Sequence, residues 1–191
     1  MNDNSSKSVM QRERMRLGQV RKSFAAGLEL QAKGTAVPIE FFGACVDYIR
    51  ASMDRLHAQD QRIHDILAPH AATAVDRAIL DHLNARLAKS RDALNKLVAA
   101  RDGYRAQGAA GWSAFKAAVD EFMDVYFNVL LKGQHSTLEM QKKVFTDQDW
   151  DTVAGVSQDS RLVEASLFAA VKLLAPPGAD PDGFKAGPPV A

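Results

Sequence analysis

A single cysteine in 191 residues leaves no partner for an internal disulfide and excludes a cysteine-rich metal site. Cys45 stands in FFGACVDYI and reads as a small, buried, inert helical residue. An excess of one charge is also missing. The 24 Lys and Arg against 23 Asp and Glu leave a formal net charge of +1, so neither nucleic acid nor an acidic membrane surface is implied as a partner. The basic start QRERMRLGQVRKSF is balanced by acids elsewhere. No long apolar run marks a membrane span, and MNDNSSKS lacks the apolar segment of a signal peptide, so the cytoplasm is the expected location. There is no Gly-rich phosphate loop and no nucleophile elbow. Alternating strand patterns and repeats are absent too, and no enzymatic reaction is inferred.

What is present is helical periodicity. With 47% hydrophobic residues the chain can fill the core of one substantial domain. Residues 1–12 read as a loose tail. A first helix is expected from Glu13 to Lys33, with Leu17, Val20, Phe24 and Leu28 on its apolar face. Pro38 fits the first turn of a second helix, whose inner stripe is Phe42, Val46, Ile49, Met53, Leu56, Ile63 and Leu67, with Pro69 as a stop. Thr73 with Asp76 caps a third helix carrying Val75, Ile79, Leu83, Leu87, Leu94 and Leu97. GYRAQGAAG connects it to a fourth, expected from Trp112 to Val144 and marked by Phe115, Val119, Phe122, Tyr126, Leu130, Leu138 and Met140. Thr146 caps a short helix anchored by Trp150, and Ser157 caps one more, over 157–174. Residues 175–191 are Pro- and Gly-rich, with little to pack. The expected fold is all-α: an up-and-down four-helix bundle over 13–156 with one or two short C-terminal helices.

Three of the four stripes carry a histidine. His57 follows Met53 and Leu56, with Asp60, Gln61 and His64 near the same face. His82 lies between Ile79 and Leu83, with Arg86 one turn on, and His135 lies one turn before Glu139. Imidazole and carboxylate suit iron or manganese, and neighbouring helices can gather such groups in a bundle centre. His57, His82, His135 and Glu139 are therefore candidate metal ligands, with Asp60, Gln61 or His64 as additional donors. The alternative is a satisfied polar core in which Glu139 pairs with Arg86 and no metal is needed. His70 belongs to a loop, and Asp147, Asp149 and Asp151 lack the rest of a calcium-loop pattern.

The order and spacing of these segments resemble the hemerythrin-like family, in its HHE cation-binding branch. PIEFFGACVDYIRASMDRLH looks like the family's second helix, ILDHLNAR like its third, and GQHSTLEMQKKVFTDQDW like its fourth, over roughly Met15 to Val156. The resemblance implies a four-helix bundle around non-haem iron that binds oxygen or nitric oxide. His57, His82, His135 and Glu139 would be ligands, with Arg86 beside them. Ala58 and Gln61 stand where the family places glutamates, and the first helix has no histidine. A mononuclear site is therefore expected rather than a dinuclear one. A metal-free structural or regulatory interaction module and a diiron oxidase-like enzyme are the alternatives.

Overall fold

The computed structural model describes residues 6–133, 135–155 and 158–184, and among them every regular element is helical. In chain order these are α1 (Ser6–Ala32), α2 (Ile39–Leu67), α3 (Ala74–Gln107), α4 (Trp112–Val125), α5 (Leu138–Val144), α6 (Asp147–Ala154) and α7 (Gln158–Leu174). Short 3₁₀ turns occupy Ala68–His70, Gly108–Gly111 and Pro181–Gly183, and a π-helical stretch, Tyr126–Leu131, continues α4. No helix among the described residues is long and apolar enough to cross a membrane.

The apolar stripes decide which faces meet. On α1, Leu17, Val20, Phe24 and Leu28 are all buried. On α2, Phe42, Val46, Ile49, Met53, Ile63 and Leu67 are buried, and Leu56 is half-buried. The inner face of α3 runs Leu80, Leu83, Leu87, Ser90, Leu94, Leu97, Arg101, Tyr104, alternating steps of three and four. That spacing keeps one seam turned toward a packed neighbour from Leu80 to Tyr104. Each leucine so buried contributes about 1.5–3 kcal/mol relative to exposure.

Contacts give the directions. Phe42 faces Tyr104 with ring centroids 6.4 Å apart, Arg50 Nη1 donates to Asn95 Oδ1 at 2.8 Å, and His57 Nε2 meets Ser90 Oγ at 2.8 Å. The pairings step backward along α3 as they advance along α2, so these two helices are antiparallel. The same holds for α1 with α2, through Phe24–Phe42 and Glu13–Gln59, and for α3 with α4, through Tyr104–Phe115 and Lys96–Glu121. Against α2 lies α7, with the Phe168 ring 5.9 Å from Tyr48.

Several boundaries differ from expectation. α1 starts at Ser6, inside the expected tail, because SKSVMQRER continues without a helix breaker. Residues 1–5, the 156 boundary, the Ser157 cap and residues 185–191 lie outside the described residues. Part of the expected C-terminal tail packs: Ala179 and Pro181 are buried, Ser23 Oγ donates to the Ala179 carbonyl, and Lys172 pairs with Asp182. The expected single fourth helix is three pieces. Tyr126–Leu131 widens to π-helical spacing, 135–137 form a turn, and α5 starts afresh at Leu138. Both short-range caps are present. Asp76 N donates to Thr73 Oγ1 at 3.0 Å, and Asp149 N to Thr146 Oγ1 at 3.3 Å, each with the reciprocal carboxylate bond. Asp149 is thus a capping residue. Trp150 anchors α6 edge-on against Phe145, centroids 5.0 Å apart.

Candidate functional site

Of the expected ligand set, one member is inside. His57 is only 3% exposed, its Nε2 is taken by Ser90 Oγ, and its Nδ1 has no hydrogen-bond partner. Burial, reinforced by the positive charge of Arg91, lowers its pKa to about 4. It is a neutral imidazole near pH 7.

His82, His135 and Glu139 are exposed. For His82 the cause is helix phase. It precedes Leu83 of the buried seam by one residue, about 100° round the helix, while Ile79 and Arg86 flank it half-buried. For His135 and Glu139 the cause is the broken fourth helix. His135 belongs to the 135–137 turn, whose closing bond runs from Leu138 N to the His135 carbonyl at 3.1 Å. The restarted α5 then turns Met140 and Gln141 inward, which sends Glu139 to the surface, where it accepts from Lys142 Nζ at 2.7 Å. Lys142 holds its carboxyl below the usual range.

The expected Glu139–Arg86 pair is absent for the same reason. Arg86 instead donates to Ser136 Oγ at 3.2 Å and lies directly on Gly133, where any Cβ would collide with the guanidinium. A glycine at 133 is what lets Arg86 from α3 reach the segment that ends the fourth helix. Asp60 stays half-buried, its carboxyl pushed up by burial and drawn back by Arg14 and Arg86. Gln61 donates to Asp65 at 3.1 Å, and His64 bridges Asp65 Oδ1 (3.1 Å) and Asn84 Nδ2 (3.0 Å) at the surface. Among the described residues no three His, Cys, Asp or Glu side chains come together to hold a metal ion. In this arrangement His57, His82, His135 and Glu139 do not fit a shared iron.

Two polar groupings were not anticipated from sequence. In one, Glu164 of α7, 5% exposed, accepts from Tyr48 Oη at 2.5 Å and from Arg16 Nη1 at 2.8 Å, joining α7, α2 and α1. Burial first and Glu164 second push the Tyr48 phenol well above its usual range. The other is the cleft between α2 and α3, lined by Arg50, Asp54, His57, Arg62 and Arg91. Its signal was in the sequence: Arg50, Asp54, His57 and Gln61 recur on one face of α2, with Arg91 and Asn95 one turn apart on α3. Cys45 is buried, and burial pushes its thiol up, which keeps it unreactive.

No family model, curated protein or solved structure matches this chain.

Proposed function

We propose that this chain is a metal-independent helical module that acts in the cytoplasm by binding rather than by catalysis. In this reading α1 to α4 form an up-and-down four-helix bundle of hemerythrin-like descent, and α5 to α7 are additions to it. The antiparallel contacts between successive helices support the bundle. The dispersal of His82, His135 and Glu139 to the surface, while Ser90 occupies His57, carries the metal-free part.

The polar interior supports the same reading. A guanidinium from the chain itself, Arg86, lies where α3 meets the end of the fourth helix and offsets the charge of the half-buried Asp60. A buried carboxylate near an internal cation needs no metal to balance it.

Metal analysis of the wild-type chain from iron-supplemented medium, beside His135→Ala and Glu139→Ala, tests the proposal. The expected outcome is a folded protein with substoichiometric iron, manganese and zinc in all three. Near-stoichiometric iron that falls with His135→Ala would overturn it. The chain would then be a mononuclear non-haem iron protein with oxygen or nitric oxide as its small ligand. Two metals per chain with turnover of oxygen would make it a diiron oxidase.

A further inference from the structure

A cavity of about 410 Å³ lies between α2 and α3, large enough for one small metabolite. Its lining is strongly asymmetric in charge. Three arginines, Arg50, Arg62 and Arg91, line it beside one acidic residue, Asp54. That carboxylate is already used, because Arg50 Nε donates to Asp54 Oδ2 at 2.7 Å. Arg62 Nη1 donates only to the Val153 carbonyl of α6, at 3.2 Å, and Arg91 makes no hydrogen bond or ion pair among the described residues. Two of the arginines that line the cleft are therefore left without a carboxylate partner.

Two further features make this more than a basic surface. Arg62 is held in place. It crosses from α2 to the end of α6 over Gly155, where a Cβ would lie 2.6 Å from its Nη1. The cleft floor also holds His57, whose Nδ1 is buried and unpartnered. When the Ser90 hydroxyl donates to Nε2, Nδ1 carries the hydrogen and is a spare donor. Leu94 and Ala58 supply an apolar wall beside these groups.

We propose that this cleft binds a small phosphomonoester dianion, with Arg62 and Arg91 gripping the phosphate, His57 beneath it, and the Leu94 wall carrying the organic part. A phosphomonoester near neutral pH bears a charge of about −1.5 to −2, which matches two uncompensated guanidiniums. Planar guanidiniums bind phosphate oxygens in pairs. A monocarboxylate would leave one cation unpaired, and a metal ion would be repelled. A long polyanion does not fit a chain whose net charge is +1. The proposal goes beyond the metal-free reading and rests on Arg62 and Arg91, which play no part in it. Metal analysis and anion titration therefore succeed or fail separately.

Isothermal titration calorimetry on the full chain tests this, at about pH 7.5 so that the second phosphate pKa near 6 is passed. The probes are inorganic phosphate and phenyl phosphate, with benzoate as the singly charged counterpart. Both phosphates are expected to saturate one site, with benzoate at least about tenfold weaker. Arg62→Gln and Arg91→Gln should each weaken phenyl phosphate by about tenfold, and Lys116→Gln on α4 should leave it unchanged. Thermal melts of each variant accompany the titrations. Arg91 is exposed, so Arg91→Gln decides the matter even if Arg62→Gln unfolds. The proposal is overturned by no saturable binding of either phosphate, by binding that survives Arg91→Gln, or by benzoate binding as tightly as phenyl phosphate.

Discussion

The helices α1, α2 and α3 build two unlike interiors, the first of them together with α4. At one end Phe24, Phe41, Phe42, Tyr104, Trp112 and Phe115 interlock, with ring centroids 5.2 to 6.4 Å apart. Four turns along α2, the facing positions are His57 and Ser90, followed by Gln59, Asp60 and Arg86, and then a small cluster around Ile63, Leu67 and Leu80. The aromatic end has no need of directional partners, since apolar area alone stabilises it. The polar stretch is stable only as far as each group finds a partner, and some do not. His57 Nδ1, Gln59 Oε1 and Arg86 Nε are buried without one, while Arg55 Nε has only a 3.5 Å ion pair with Glu13. The larger apolar cluster lies at the first end, and His57 Nδ1, Gln59 Oε1 and Arg86 Nε lie unpartnered at the second.

The sharpest break in that contrast is Phe42→Ala. Phe42 touches five other rings and is fully buried, so its loss should cost about 3–5 kcal/mol in urea unfolding. A cost under about 1 kcal/mol would mean that the aromatic end is not the stability core.

Next in size is Tyr48→Phe. It removes the donor to a buried carboxylate, and hydrogen bonds to charged groups are worth about 1.5–3 kcal/mol. Here pH adds a second test. The folded phenol is raised above the unfolded value of 10.0, so its contribution is fully present below pH 10 and lost as pH rises beyond it. Stability curves of wild type and variant should therefore converge above pH 10. A gap that stays constant through that range would show that the phenol is not held protonated.

The His57–Ser90 pair sharpens the comparison with a smaller effect. Ser90→Ala leaves a buried imidazole with no partner at either nitrogen and should cost about 1–3 kcal/mol. His57→Leu with Ser90→Ala replaces both partners by apolar groups and should recover most of that loss. Additive losses in the double variant would mean that the two residues do not act as a pair.

The sequence disclosed the aromatic end far better than the polar one, for a physical reason. Leu17, Val20, Phe24, Leu28, Phe42, Leu87 and Phe115 obey a period set within a single helix, and burial follows that period. Thr73 and Thr146 are equally local, since a capping box needs only four residues. His135 and Glu139 depended on something not local, namely whether the fourth helix continues through Gly133. Gly133 is still helical but 135–137 are a turn, and the residue packed against that glycine, Arg86, comes from α3. His82 failed more narrowly. Flanked by Ile79 and Leu83, it sat in an apolar context, but the seam passes through Leu80 and Leu83 and leaves His82 on the outside. Val75, the first apolar residue expected on that stripe, is 68% exposed, and the buried seam starts only at Leu80. The Arg62 and Arg91 cleft was overlooked because basic residues scattered along two helices look like solvated faces until the helices are paired.

The smallest effect expected is also the one that separates the two interiors most cleanly. His82→Ala, His135→Ala and Glu139→Ala remove exposed side chains, and exposed substitutions of this kind stay within about 0.5 kcal/mol. Glu139 gives up only a surface pair with Lys142, three residues away on the same helix. Were these residues interior ligands, each loss would strand polar partners in the core and cost far more. Thermal unfolding of the three variants beside Ser90→Ala reads this directly. Three near-neutral variants against one clear loss would leave His57 as the one interior member of the four expected ligands. A Glu139→Ala loss as large as that of Ser90→Ala would place Glu139 inside, and with it a fourth helix continuous through the 135–137 turn.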